Sequence, residues 1–300
     1  EVDERLPEAQ HATPSAVRQS AHFAGRYPRR RVRVDEHTIE FDGGPVFYRS
    51  APATGTPTLY LHGIPTSSDD FVPFLERAGG IAPDLPGFGR STKSGHLAYT
   101  LDFHAGFVEW LLHELGVERV SLVLHDWGAG GGLVFAQRHP ERIERLVLSD
   151  ALPLLSGFRW DRLGRALRTP VLGELVMGST GRRILARRLR GGAVTPGAWP
   201  AARLATVWEH FDQGTQRAVL RMYRSAGERE LQQAGAELGQ LPAPAMILWG
   251  GRDTWFPSRL AHEYARRLPH AEVRLLDDAG HWPWLDEPGA IDTVAAFLGP

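Results

Sequence analysis

The chain has 300 residues, of which 42% are hydrophobic and 23% are charged, and its formal net charge is −1. This composition is ordinary for a soluble globular enzyme, and the length allows one large α/β domain or two small ones. The near-zero charge indicates no nucleic-acid or polyanion partner. The lack of cysteine excludes disulfides, thiolate chemistry and cysteine-bound metals.

Residues 1–28 are polar and are predicted to form a loosely held arm. They lack the apolar core that a signal peptide has. No apolar run reaches the length that a transmembrane helix needs. We therefore expect a cytoplasmic protein without membrane contact, present as a monomer or a homodimer.

Short apolar segments alternate with helical patterns up to Asp150. The alternating segment 31–34 is typical of an edge strand, and residues 38–49 predict a strand pair that turns at Gly43 and Gly44. Further strands are expected at 58–61, 80–83, 120–124 and 145–149. Helices are expected at 69–78, capped by Ser68 or Asp69, at 101–115, and from the glycines after Trp127 to Pro140.

The pattern changes after this point. Residues 151–241 contain no convincing strand and hold helix-like segments rich in Arg and Leu. Strands are expected again at 245–249 and 272–276, and helices at 258–268 and 288–298. This order predicts an α/β fold, a mostly parallel sheet covered by helices on both faces. Residues 29–150 and 242–300 would form the core and 151–241 an inserted helical cap, in which the basic run 181–190 is interpreted as a solvated helix face.

The chemistry is expected at Asp126, which follows an apolar strand and precedes a glycine-rich helix start. A strand that turns sharply into a helix exposes the turn residue above the sheet, as in a nucleophile elbow. Gly128 stands where a side chain would clash with the turn, although Leu124 replaces the first glycine of the usual pattern. The elbow usually carries serine, whereas a carboxylate needs no proton removed before it attacks. The alternative interpretation is a buried Asp126 that caps the next helix.

Two further residues could complete a hydrolytic site. Asp253 and His281 each follow a predicted strand, in the chain order nucleophile, acid, histidine. Asp253 would hold the imidazole tautomer and stabilise its charged form, and His281 would act as general base. Asp150, also at a strand end, is an alternative to Asp253.

The segment HGIP contributes to the same site. The backbone N–H groups of Ile64 and Trp127 are expected to point at one place and to form an oxyanion hole. His62 is expected to orient this loop through a hydrogen bond, and residues 84–91 to form a fixed loop nearby.

Five motifs together resemble the α/β-hydrolase superfamily. They are HGIPTSS at 62–68, DLPGFGRS at 84–91, HDWG at 125–128, GGRDTWFP at 250–257 and DAGHWPWLDEP at 278–288. HDWG is similar to the aspartate-nucleophile branch, the epoxide hydrolases and haloalkane dehalogenases. The resemblance implies that Asp126 attacks an sp³ carbon to form an alkyl ester. Water activated by His281 would then attack the ester carbonyl, with no metal and no cofactor.

The resemblance leaves two electrophiles to compare, and the first is an epoxide. Its alkoxide leaving group needs a proton donor, and epoxide hydrolases resemble one another in using two cap tyrosines. Tyr223, in LRMYRS, resembles the second of these, the alternative being a packing role. It is the only tyrosine in 151–241, so His210, Trp160 or Trp208 would have to fill the first place.

The second electrophile is a haloalkane, whose halide needs N–H donors. Trp127 matches the first halide-binding tryptophan of that family. Ile64 fills the position of the asparagine that can provide the second donor, so Trp160, Trp199 or Trp208 would have to supply it.

We therefore favour an epoxide hydrolase that converts small apolar epoxides to vicinal diols with water. A haloalkane dehalogenase is the alternative. A non-catalytic small-molecule binding protein on the same fold is the alternative of a different class.

Overall fold

The structure, a computed structural model, describes residues 32–299; the arm predicted at 1–28 lies outside them. Eight strands form one sheet in the order 1-2-4-3-5-6-7-8. They are β1 (Asp35–Phe41), β2 (Gly44–Ala51), β3 (Thr58–Leu61), β4 (Gly80–Pro83), β5 (Val120–His125), β6 (Ile143–Ser149), β7 (Ala245–Gly250) and β8 (Ala271–Leu276). β2 is antiparallel to β1 and β4, and all other neighbours are parallel, which confirms the predicted mostly parallel sheet.

The antiparallel edge of the sheet is a hairpin of β1 and β2. The chain turns at Asp42 and Gly43, whose φ angles are 50° and 74°, one residue earlier than predicted. The prediction of an edge strand at 31–34 is wrong for residues 32–34, which lie outside any strand. The N–H of Val32 instead donates to the carbonyl of Glu76 at 3.1 Å, so this segment is not part of the sheet ladder.

Twelve helices lie within residues 32–299. They are α1 (Val72–Ala78), α2 (Leu101–Glu114), α3 (Gly128–Arg138), α4 (Arg162–Arg168), α5 (Leu172–Ser179), α6 (Arg182–Gly191), α7 (Ala201–His210), α8 (Gln213–Ser225), α9 (Glu228–Ala234), α10 (Arg259–Arg267), α11 (Pro283–Asp286) and α12 (Gly289–Leu298). None of them is long and apolar enough to cross a bilayer.

The helix predicted at 69–78 begins later than expected. Residues Ser68–Phe71 form a 3₁₀ turn capped by Ser67, and α1 starts at Val72. Pro73 explains this start, because proline has no N–H to donate inside a helix and is tolerated only in the first turn.

Helices α4–α9 fill the chain between β6 and β7, and residues 151–241 contain no strand, as expected. In α6, Leu185 and Leu189 are buried and the arginines are exposed, as expected for a solvated helix face, although one of them, Arg188, also lines the cavity described below. The division of the chain into a core and a separate cap domain stays a prediction.

The centre of the sheet determines where polar groups meet. β5 and β7 are buried along their whole length, as strands of a parallel sheet covered on both faces must be. β5, β6, β7 and β8 run parallel, so their carboxyl ends lie at one edge of the sheet. Three carboxylates, those of Asp126, Asp150 and Asp253, follow the ends of these strands.

Candidate active site

Asp126 directly follows β5, and its backbone is held in the left-handed region with a φ of 49°. A sharp turn between strand and helix can hold a non-glycine residue in that conformation, and such strain is common at functional sites. Gly128 allows the turn, because a Cβ there would lie 2.3 Å from the carbonyl oxygen of Leu61. Asp126 therefore has the backbone geometry predicted for an elbow.

The carboxylate of Asp126 is almost completely buried and receives two backbone hydrogen bonds. The N–H of Ile64 donates to Oδ2 at 2.9 Å, and the N–H of Trp127 also bonds the carboxylate. Burial raises the pKa of Asp126 to about 6, and the opposing effects of His281 and the two N–H groups are smaller. The N–H groups of Ile64 and Trp127 are thus both directed at the carboxylate of Asp126, and their role as an oxyanion hole stays a prediction.

His281 lies between two carboxylates. Its Nδ1 is 2.8 Å from Oδ2 of Asp253, and its Nε2 is 3.9 Å from Oδ1 of Asp126. Burial opposes the charged imidazolium, but the charges of Asp253 and Asp126 outweigh burial and raise the pKa of His281. The structure therefore brings together the three residues predicted to share the chemistry, and their catalytic roles stay predictions.

The partner of the imidazole is Asp253, at the position that we favoured over Asp150. Its other oxygen, Oδ1, accepts the N–H groups of Trp255 at 2.7 Å and Phe256 at 3.1 Å, which fixes the carboxylate. Asp150 lies in the same cluster and has no hydrogen bond to His281 within the described residues. Its Oδ1 instead accepts the N–H of Gly250 at 3.0 Å.

The donor atoms of Asp150, Asp253 and His281 lie within 4.8 Å of one another, close enough to hold a metal ion. The 2.8 Å hydrogen bond between Nδ1 and Oδ2 already uses the imidazole nitrogen and the carboxylate oxygen nearest to each other. This geometry favours a hydrogen-bonded acid–imidazole pair over a set of metal ligands.

His62 connects the two loops beside the site. Its Nδ1 lies 2.7 Å from the carbonyl oxygen of Gly63, and its Nε2 accepts the N–H of Leu85 at 2.8 Å. A Cβ at Gly63 would lie 2.4 Å from Oδ2 of Asp126, so only glycine lets this loop approach the carboxylate. His62 therefore orients the loop, as expected.

A cavity of about 270 Å³ opens above Asp126, between the strand ends and the helices that follow β6. Its walls are mostly apolar, with side chains from α4, α5, α6 and α8 opposite the carboxylate. Phe158, Leu167, Met177, Leu189 and Val219 are among them. Such a cavity suits a small apolar molecule.

Tyr223 lies in the wall of this cavity and is partly buried. Its ring packs against those of Trp127 and Trp160, with centroid distances of 4.8 and 4.9 Å. Burial, followed by the nearby charge of Asp126, raises the pKa of Tyr223. The phenol therefore stays protonated beside the carboxylate and can donate a hydrogen bond.

The second donor that we expected is not at any of the positions considered. The indole N–H of Trp160 is bonded to the carbonyl oxygen of Ala226 at 2.8 Å. Neither Trp199, Trp208 nor His210 lines the cavity. These four residues are therefore poor donors to a leaving group, and their proposed use for this purpose is not supported.

Arg188 lines the cavity and was missed as a site residue. Its guanidinium carbon lies 5.8 Å from the ring centroid of Trp255, which in turn packs on His281 at 4.5 Å. Within residues 32–299 Arg188 forms no ion pair. The spacing of Leu185, Arg188 and Leu189 along α6 could have indicated this position, because residues at i, i+3 and i+4 share one helix face.

Comparisons with known proteins agree with this architecture. Residues 56–174 match the family model described as the alpha/beta hydrolase fold. The cis-3-alkyl-4-alkyloxetan-2-one decarboxylase of Shewanella oneidensis is 30% identical over 279 residues, covering 82% of this chain and 82% of that protein.

Two solved structures are similar over most of the chain. The haloalkane dehalogenase DbeA from Bradyrhizobium elkani has a TM-score of 0.76 and 25% identity, covering 89% of this chain and 98% of that one. The epoxide hydrolase CorEH has a TM-score of 0.74 and 22% identity, with coverages of 89% and 99%, which supports the fold alone. With its mostly parallel sheet and these relatives, the chain belongs to the α/β-hydrolase superfamily of enzymes.

Proposed function

We propose that this protein is an epoxide hydrolase that forms a covalent alkyl ester on Asp126 and releases a vicinal diol. The observation that carries the proposal is that Tyr223 and Asp126 line the same cavity, where the Tyr223 ring packs 4.8 Å from that of Trp127, the residue after Asp126. A nucleophile and a proton donor in one apolar cavity suit the opening of a strained oxygen ring.

In the first step, Oδ1 of Asp126 attacks a ring carbon, since Oδ2 is bonded to the N–H of Ile64. The carbon–oxygen bond of the epoxide breaks, and its electron pair stays on the ring oxygen. Tyr223 donates a hydrogen bond, and then its proton, to this alkoxide. No base is needed, because a carboxyl group with a pKa of about 6 is mostly ionised at pH 7.

In the second step, Nε2 of His281 removes a proton from water, and the resulting hydroxide attacks Cγ of the Asp126 ester. Negative charge develops on the oxygen that faces the N–H groups of Ile64 and Trp127, which stabilise it. The carbon–oxygen bond between Cγ and the ester oxygen then breaks. The diol leaves with the proton from His281, whose imidazolium Asp253 stabilises in between. The carboxylic acid left on Asp126 then returns its proton to the Tyr223 phenolate, which restores both groups.

The donor geometry is less suited to haloalkanes. Ile64 cannot donate a side-chain N–H, and the Trp160 N–H is bonded to Ala226, which leaves the indole of Trp127 as a single donor in the cavity wall. A halide would therefore find no free pair of indole or amide donors among these residues. A non-catalytic binding protein would not need the hydrogen-bonded pair of Asp253 and His281 beneath the cavity.

A second candidate is the opening of a β-lactone, in which a carboxylate leaves from the attacked carbon. Two observations favour it. Arg188 lies in the cavity wall, and its guanidinium group has no ion-pair partner within residues 32–299. Guanidinium groups bind carboxylates well. The relative with 30% identity is named for its action on an alkyl-substituted oxetan-2-one.

The test is parallel incubation of the purified protein with styrene oxide, a 1-bromoalkane and a cis-dialkyl β-lactone. Diol, bromide and carbon dioxide are measured separately, with Asp126→Ala as the control for uncatalysed reaction. Diol release that requires Asp126 is expected. Bromide release without diol would favour a haloalkane dehalogenase instead. Carbon dioxide release without diol would favour the opening of a β-lactone. Binding of all three without turnover would favour a binding protein.

A further inference from the structure

Asp150 is a buried carboxyl group that the proposed reaction does not use. It directly follows β6 as Asp126 follows β5, and it has the same strained left-handed backbone, with φ of 45° against 49°. It is completely buried. A buried carboxyl group on a strained backbone is unfavourable for stability, so its presence calls for a physical reason.

The surroundings of Asp150 place it against the acid of the site. β6 and β7 are neighbouring parallel strands, so Asp150 and Asp253 emerge at the same edge of the sheet. One carboxyl oxygen of Asp150 lies within 4.8 Å of an oxygen of Asp253 and of a ring nitrogen of His281, and all three side chains are buried. Two carboxylates this close in a buried site repel each other strongly, so one of the two carboxyl groups is expected to carry a proton.

The number of donors around each carboxyl group indicates which one carries it. Asp253 accepts the backbone N–H groups of Trp255 and Phe256 and pairs with Nδ1 of His281. Asp150 accepts one backbone N–H, from Gly250 at 3.0 Å, and one hydroxyl group, from Ser149 at 3.0 Å. More N–H donors stabilise the anion, so Asp253 holds the charge and Asp150 the proton.

We propose that Asp150 stays protonated, donates this proton in a hydrogen bond to Asp253, and replaces Asp253 as the anionic partner of His281 when that carboxylate is removed. Asp150 is thus a positioning residue with a second, reserve role. Burial and then the adjacent Asp253 charge also raise the pKa of Asp150 well above its ordinary range, which agrees with the donor count. Loss of the Asp253 charge would remove one of these causes and let Asp150 ionise.

Infrared difference spectroscopy tests the protonation without any substrate. The wild-type protein at pH 7 is expected to show the C=O stretch of a protonated, buried carboxylic acid. The band should disappear in Asp150→Asn and also in Asp253→Asn, where Asp150 ionises. Asp84→Asn is the matched control, since Asp84 is equally buried but is paired with Arg90. A band that persists in Asp150→Asn would overturn the proposal.

The catalytic part rests on the proposed function and is measured as the rate at which the ester on Asp126 is hydrolysed. Asp150→Ala should slow this step by about 10- to 100-fold, and Asp150→Asn by only a few-fold, because the amide can still donate to Asp253. Asp253→Asn should slow ester hydrolysis by about 100-fold. The double variant, Asp150→Asn with Asp253→Asn, should slow it by about 10⁴-fold, as for a triad without its acid. Equal rates in Asp253→Asn and the double variant would refute the reserve role. The absence of any ester in wild-type and His281→Gln protein would instead refute the proposed function and leave the infrared result standing.

Discussion

The phenol of Tyr223 gives the most direct test of the leaving-group chemistry. Replacement by phenylalanine removes one oxygen and leaves the ring, which Trp127 and Trp160 hold at 4.8 and 4.9 Å. The cavity walls should therefore keep their shape. A lost hydrogen bond to an oxyanion in a buried site costs about 10²–10³ in rate. The loss should fall on the step in which the epoxide opens and alkylates Asp126.

The assay is rapid-quench mass spectrometry of the Asp126 ester, with styrene oxide and a 1-bromoalkane as parallel substrates. Tyr223→Phe should slow alkylation by the epoxide about 10²–10³-fold and change alkylation by any reactive bromoalkane by less than about threefold. Tyr60→Phe is the matched control. It removes a buried phenol that donates to the carbonyl of Gly79 in the core, so any general loss of stability appears there too. Equal slowing with both substrates, or none with the epoxide, would refute the role of Tyr223.

Three further predictions concern the other groups of the site. His281→Gln should still form the ester but not hydrolyse it, and intact-protein mass spectrometry should show an increase equal to the whole epoxide mass, or to the haloalkane mass less hydrogen halide. A variant with normal turnover would place the base elsewhere. Because burial raises the pKa of Asp126 to about 6 and the nucleophile must be ionised, the alkylation rate measured by stopped-flow tryptophan fluorescence should fall below pH 6 to about one-tenth of its plateau at pH 5. A rate that is flat from pH 7 to 5 would contradict this. Arg188→Met should keep the contact with Trp255 and slow β-lactone opening by at least about tenfold, since a charged hydrogen bond is lost, with little effect on epoxides; an equal effect on both would contradict a carboxylate-binding role.

The sheet could be predicted from the sequence because its strands are short apolar runs that end in recognisable polar motifs. The strands predicted at 58–61 and 80–83 have the same bounds in the structure, and the others differ by a few residues. The errors arose where one interaction decides the local backbone. Pro73 delays the start of α1, and the bond from Val32 to Glu76 keeps residues 32–34 out of the sheet.

Residues of the candidate site were predictable where a fixed turn or strand end positions them. Asp126, Asp253 and His281 follow strands, so their order along the chain places them at one edge. Residues between β6 and β7 were not predictable in this way, because the sequence of a helix shows which residues share a face but not which cavity that face lines. The indole of Trp160 has an N–H that could donate, but this N–H is bonded to the carbonyl oxygen of Ala226. Arg188 was interpreted as part of a solvated helix face, and yet it lines the cavity.

The hydrogen bonds to Asp126 act differently in the two proposed steps. In the free enzyme the N–H groups of Ile64 and Trp127 bond a carboxylate that must act as nucleophile, which lowers its energy and slows attack. After alkylation the ester is neutral, and the same N–H groups meet a weaker acceptor. Charge returns to that oxygen only when water attacks, so the N–H groups stabilise this transition state more than the ester before it. The site therefore favours ester hydrolysis at the expense of ester formation, and strain in the substrate ring compensates in the first step. This asymmetry is a physical reason for strained oxygen rings to suit this site better than unstrained carbon–halogen bonds.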